Sequence, residues 1–141
     1  AVLIFEPITS SLLHAKKGRE LAKIRDLWKE KTGQPMLMIG LAAHQEWLDA
    51  NPRKAKKMFA TYMEALRTFH ANPAKVIADN RKYLRIKSDA HAKLLEKRQV
   101  AVYPDRWDDK IIADLELIVK KSAEFGLIKA VPKGKLFLQL Q

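Results

Sequence analysis

Ala1-Val2-Leu3-Ile4-Phe5-Glu6-Pro7-Ile8-Thr9-Ser10-Ser11 is the stretch on which the reading of the fold turns. Its five leading apolar residues are too few to span a membrane and read as a buried strand of a parallel or mixed sheet. The polarity then changes at Glu6-Pro7, three hydroxyls follow, and Leu12-Leu13 resumes the apolar pattern. That order predicts a strand handing over to a helix. Pro7 has no amide hydrogen to lose and suits a first turn, while Thr9, Ser10 and Ser11 can bond to free backbone amides. Open α/β sheets bind their ligands beyond the carboxyl ends of strands. Glu6 and the hydroxyl cluster are therefore the leading site candidates, and the same residues would also serve simply to cap a helix.

With 141 residues and 48% apolar composition, the chain is expected to form one domain with a real core. No run approaches the length of a membrane helix, and no signal peptide is visible. The chain opens inside a strand-like run, so further polypeptide is expected before it. There is no cysteine, hence neither disulfides nor thiolate chemistry. The formal charge of +11, from 27 Lys and Arg against 16 Asp and Glu, favours anionic partners. Yet the bases are scattered, and the densest run, Arg53-Lys54-Ala55-Lys56-Lys57, holds four. A solvated basic surface, as on a periplasmic protein, is expected in preference to a nucleic-acid platform.

Along the chain, Ile8, Leu12 and Leu13 give a first helix closed by Lys16-Lys17-Gly18. His14 on it reads as a surface or core-edge residue. Residues 19–34 are ambiguous, with Leu21, Ile24, Leu27 and Trp28 at helical spacing but much charge between, and Gly33-Gln34-Pro35 ends them. Met36 to Ala43 is apolar enough for a second buried strand, with Gly40 marking a bulge or tight packing point. His44 to Ala50 predicts a short helical turn. Asn51-Pro52 then opens the clearest element, a helix with Ala55, Met58, Phe59, Tyr62, Met63, Leu66 and Phe69 at spacings of three and four. Asn72-Pro73 repeats that grammar for a helix reaching Tyr83-Leu84. Ser88-Asp89 caps another, with Leu94 and Leu95 inward. Val100 to Tyr103 reads as a short extended segment. Asp105 with Asp108 predicts the cap of a long last helix whose inner line is Trp107, Ile111, Leu115, Ile118, Ser122 and Phe125, stopped at Gly126. The tail from Leu127 is expected to dock on something apolar.

About five helices thus accompany two clear strands. A buried parallel sheet needs more strands than that. Either the domain is mostly helical, or its sheet is completed by other polypeptide.

Catalytic patterns are not found. Ser10 and Ser11 lack the Gly-x-Ser-x-Gly elbow of a hydrolytic serine. His14, His44, His70 and His91 lie 21 to 30 residues apart, without paired metal spacing. Gly-rich phosphate loops are absent, and Trp28, Trp47 and Trp107 fall on apolar helical stripes. No enzyme and no cofactor are expected.

The order of these pieces resembles a known family. The apolar run into Phe5-Glu6-Pro7, Asp26-Leu27-Trp28, the run at 36–43 leading into Gln45-Glu46-Trp47-Leu48, Asn51-Pro52 before a long helix with Ala65-Leu66, Asn72-Pro73, Asp105-Arg106-Trp107 and Phe125-Gly126-Leu127-Ile128 are similar to the C-terminal half of bacterial ABC-transporter substrate-binding proteins. The branch is the one serving sulfonates, nitrate, taurine and thiamine precursors. This resemblance implies an α/β, periplasmic binding protein type II-like three-layer fold, present as an incomplete, helix-rich C-terminal portion. It implies that residues 1–43 end the second solute lobe and supply a return strand, while 44–141 pack on a first lobe missing from this chain. It further implies a periplasmic protein that captures a small organic anion or zwitterion and delivers it to a membrane permease, with no nucleic-acid partner. Glu6, Thr9 and Ser10 would make the polar contacts to the solute. The alternatives are a non-catalytic helical interaction domain or a basic nucleic-acid-binding domain.

Overall fold

A computed structural model describes residues 1–37, 39–104 and 106–140 of the chain. Helix makes up 55% of it. The helices are α1 (Ile8–His14), α2 (Ile24–Thr32), α3 (Gln45–Ala50), α4 (Pro52–Ala71), α5 (Pro73–Asp79), α6 (Asp89–Gln99) and α7 (Asp109–Glu124). No strand occurs among the described residues.

This overturns the expected α/β three-layer architecture. Ala1 to Phe5 has no regular structure and no ladder partner, and the same holds for the described residues between Met36 and Ala43, Met38 lying outside them. A lone extended segment leaves its amides and carbonyls to water, so an apolar run becomes a strand only when another strand faces it. Among the described residues the domain is mostly helical.

Helix starts follow local chemistry where the sequence offers it. Pro52 and Pro73 sit in first turns, where a missing amide hydrogen costs nothing. The Asn72 side chain accepts from the Lys75 amide at 3.1 Å, Ser88 from the His91 amide at 3.1 Å and Asp108 from the Ile111 amide at 3.0 Å. Of the predicted pair for α7, Asp108 is the cap, and Asp105 lies outside the described residues. At the far end Gly126 takes φ +71°, the left-handed turn that ends a helix cheaply only with glycine. The helix expected to run to Leu84 stops at Asp79, and turns carry the chain through Leu84 to Arg85. Val100 to Tyr103 is likewise turn rather than extended strand.

The chain divides into two compact units that interleave along the sequence. The first comprises Ala1–Lys23 and Glu64–Asp105. In it α6 is the hub, with α1 and α5 packed against it. Leu95 is fully buried at its centre and His91 and Gln99 flank it, while Ile77 from α5 closes the core. Phe69 meets Tyr103 edge-to-face with ring centroids 5.8 Å apart. The adjoining His70 donates from Nε2 to the Tyr103 carbonyl at 3.1 Å.

The second unit comprises Ile24–Met63 and Arg106–Gln141. Its buried residues include Ala55 and Met63 of α4, and Ile111 and Asp114 of α7. Phe59 meets Trp107 edge-to-face at 6.2 Å. The Trp107 indole donates to the Leu138 carbonyl at 2.9 Å, and Gln139 donates to Asp109 at 2.8 Å. α2 and α3 bury no residue. Six hydrophobic side chains are buried among the described residues, against 17 large apolar ones that remain substantially exposed.

Candidate functional site

The geometry around the first helix begins with Glu6. Its Oε2 accepts from the Ser10 amide at 3.1 Å and from the Ser10 hydroxyl at 2.6 Å, so the glutamate, not a hydroxyl, caps α1. Its Oε1 accepts from Arg98 Nε on α6, and the same guanidinium reaches Glu20. Arg98 is thus clamped between two carboxylates, with side chains that are largely shielded from water. Such charge-assisted bonds are the strong kind.

The expected ligand residues therefore have internal partners. Ser10 is fully buried. Thr9 donates to the Ile4 carbonyl at 3.4 Å and Ser11 to the Pro7 carbonyl at 3.1 Å, so these hydroxyls serve carbonyls where free amides were expected. Contact of Glu6, Thr9 or Ser10 with a ligand would require exchanging a bond already made.

Between α1 and residues 83–91 a cavity of about 570 Å³ opens within the first unit. Its apolar wall comes from Ile8 and Leu12 on α1 and from Tyr83 and Leu84 opposite. Arg85 and Lys87 line it together with His14 and His91, and no carboxylate does. Arg85 takes φ +53°, a left-handed conformation uncommon outside glycine and asparagine. Neither Arg85 nor Lys87 has a carboxylate partner among the described residues.

His14 and His91 form the floor. Their rings stack with centroids 4.9 Å apart and an interplanar angle of 8°. His91 Nδ1 accepts the Lys87 amide at 3.3 Å, which leaves the ring proton on Nε2, 3.5 Å from the Ser11 hydroxyl. His14 Nε2 is 3.1 Å from the Ser88 hydroxyl. Burial, then the facing His14 ring, holds the His91 pKa below the usual histidine value. Lys87 adds to that effect and Glu6 opposes it. Reading the sequence for histidine spacing missed this pair, because the two rings are brought together by α1 packing on α6 and not by proximity in the chain. The one local signal was Ser88, whose cap fixes the first turn that carries His91.

The pair offers two imidazoles and no third ligand, and no group of three metal-binding side chains occurs among the described residues. A nucleophile-base-orienter triad is not assembled either, since Ser11 donates its proton to a backbone carbonyl. What the cavity can do is shelter apolar groups beside positive charge.

Comparison with known proteins adds one positive finding. A family model described as NMT1-like matches residues 1–83, more than half of the chain. The chain belongs to the NMT1-like family. No curated protein and no solved structure matches this NMT1-like chain. The match covers the α1 wall of the cavity and Tyr83, and it ends before Arg85, Lys87 and His91.

The further resemblance to the C-terminal half of ABC-transporter substrate-binding proteins does not stand. It required a three-layer α/β lobe, and the NMT1-like chain has helices alone among its described residues. Solute capture for an importer and docking on a membrane permease rested on that fold and fall with it. Among the described residues no helix is long and apolar enough to cross a membrane.

Proposed function

We propose that this chain is a non-catalytic helical interaction module. Its cavity between α1 and residues 83–91 takes a short acidic, apolar segment of a partner protein. The observation that carries this reading is the lining: aliphatic and aromatic walls, two cationic side chains, two imidazoles and no carboxylate. Apolar anchors in a concave site supply affinity, while complementary charge selects the partner and speeds encounter. An acidic peptide supplies the negative charge that Arg85 and Lys87 lack, and leucine-sized side chains match a wall of Ile8, Leu12 and Leu84.

Titration with a fluorescent peptide of alternating leucine and glutamate, against its lysine-for-glutamate twin, tests this. The acidic peptide should bind, the basic twin should not, and Arg85→Ala with Lys87→Ala should weaken binding by at least about tenfold, near 1.4 kcal/mol. These two substitutions leave the Lys87 backbone amide to His91 in place, so the floor is preserved. Equal binding of both peptides, or an unchanged affinity in the double variant, would sink the proposal.

A further inference from the structure

The segment after α7 carries a second surface, in the other unit and independent of the cavity. From Phe125 to Gln141 the sequence contains Lys129, Lys133 and Lys135 and no acidic residue. Apolar side chains just before and among these lysines face solvent: Phe125 is 69% exposed, Leu127 76% and Val131 50%. Both ends of the segment are held. It leaves the C-terminus of α7 through Gly126, and Leu138 and Gln139 are bonded to Trp107 and Asp109 at the start of the same helix. The segment therefore runs back along α7 as a tethered loop rather than a free tail. Tethering lowers the ordering cost of binding by whatever it contacts.

We infer that this loop docks on the surface of an anionic lipid bilayer. Charge complementarity names the occupant, because three lysines with no carboxylate among them match a layer of negative headgroups. The backbone here is irregular, turning at Gly126 and bending at Lys133-Gly134, so it stays at headgroup depth and does not enter hydrocarbon. From that depth Phe125, Leu127 and Val131 reach the acyl boundary, and lysine stems lie along it with their ammonium groups in the headgroups. Neither signal suffices alone, since a few aliphatic side chains bind neutral lipid weakly and a few lysines are screened by salt. Together they give reversible peripheral attachment.

Sedimentation of the full chain with vesicles tests the inference. Vesicles of phosphatidylcholine with about 30% phosphatidylserine should carry the protein down, and pure phosphatidylcholine should not. About 1 kcal/mol per lysine makes the three worth roughly 100-fold in partitioning, which Lys129→Gln, Lys133→Gln and Lys135→Gln together should remove. A matched triple variant at Lys54, Lys56 and Lys57 should partition like the parent. Phe125→Ser with Leu127→Ser should weaken binding although the charge is unchanged. Circular dichroism confirms that each variant keeps its helices. Failure to bind anionic vesicles would overturn the inference and leave the loop to an acidic protein. So would equal losses in the two lysine variants, which would mean that overall charge alone is at work, or full binding by the serine variant.

Discussion

His91 shows how one residue couples fold to pH. Its Nδ1 must stay unprotonated to accept the Lys87 amide, and its ring lies 1% exposed against a second imidazole. The groups facing it are His14 and Ser11 from α1, Glu6 ahead of that helix, and Lys87 and Ser88 from its own side. Because the folded pKa is depressed, the unfolded chain binds the extra proton first. Stability from this residue is fully present above the unfolded value near 6.5 and is lost as pH falls through it toward the lower folded value. Urea denaturation between roughly pH 8 and 5 should show stability falling on acidification, by no more than about 1.4 kcal/mol per pH unit for one proton. His91→Gln should flatten that slope. A parent curve that is level, or that rises toward acid, would show that the ring is not held neutral. Glu6 carries the complementary lesson. Its place at a strand-like exit suggested ligand contact, and in the fold its two oxygens hold Ser10 and Arg98, bonds that the sequence alone does not reveal. A sequence shows that an acid stands at a turn, not which of its partners arrives from 92 residues away.

Among the elements, the helix starts were the most legible. The Asn72 cap, Ser88 and Asp108 act within three residues, and local chemistry of that range survives into any fold, whereas the Asn51 side chain donates back to the Trp47 carbonyl instead of capping α4. The inner face of α4 was readable in part, with Ala55, Met63 and Leu66 buried as their spacing requires while Met58 on the same expected face is 55% exposed. The apolar runs at 1–5 and 36–43 were not, because a short apolar stretch carries no period and becomes a strand only through a distant partner. On α7 the expected inner line held no charged residue, yet Asp114 shares the face of Ile111 and is 1% exposed, and neither of its oxygens has a hydrogen-bond partner among the described residues. Burial raises its pKa, with Asp108 acting in the same sense and Lys110 and Arg106 opposing. A raised carboxyl pKa means that the stabilising state is the protonated one, present below the unfolded value and lost as pH rises through the folded one. Asp114→Asn keeps the shape without the charge and should stabilise the chain by about 1–2 kcal/mol at pH 7. The gain should shrink as pH falls toward 4, where the parent carboxyl becomes neutral. Equal urea midpoints for parent and variant at pH 7 would mean that the carboxylate is solvated or paired in solution.

For the molecule as a whole, the decisive quantity is the imbalance of 27 basic against 16 acidic residues. Pairs such as Arg98 with Glu6 and Glu20, Lys75 with Asp79, and Arg81 with Asp89 engage carboxylates and leave bases such as Arg85 and Lys87 without one among the described residues. Most of the pairs are exposed and contribute little individually, while the excess positive charge acts at long range against the folded state. Salt separates the two effects. Raising ionic strength from about 0.01 to 0.15 M shortens the screening length from roughly 30 Å to 8 Å, which quenches repulsion between distant lysines and arginines but barely touches the shielded Arg98 clamp. With only six hydrophobic side chains buried among the described residues, little other stability masks the change. The thermal midpoint should therefore rise with sodium chloride over that range, and sodium sulfate should be avoided because it strengthens apolar burial independently. A midpoint that falls with salt would mean that attractive pairs dominate the electrostatics, and that the +11 is already balanced in the fold. A rise would leave the unmatched positive charge available to an anionic partner, the property on which both the cavity and the α7 loop depend.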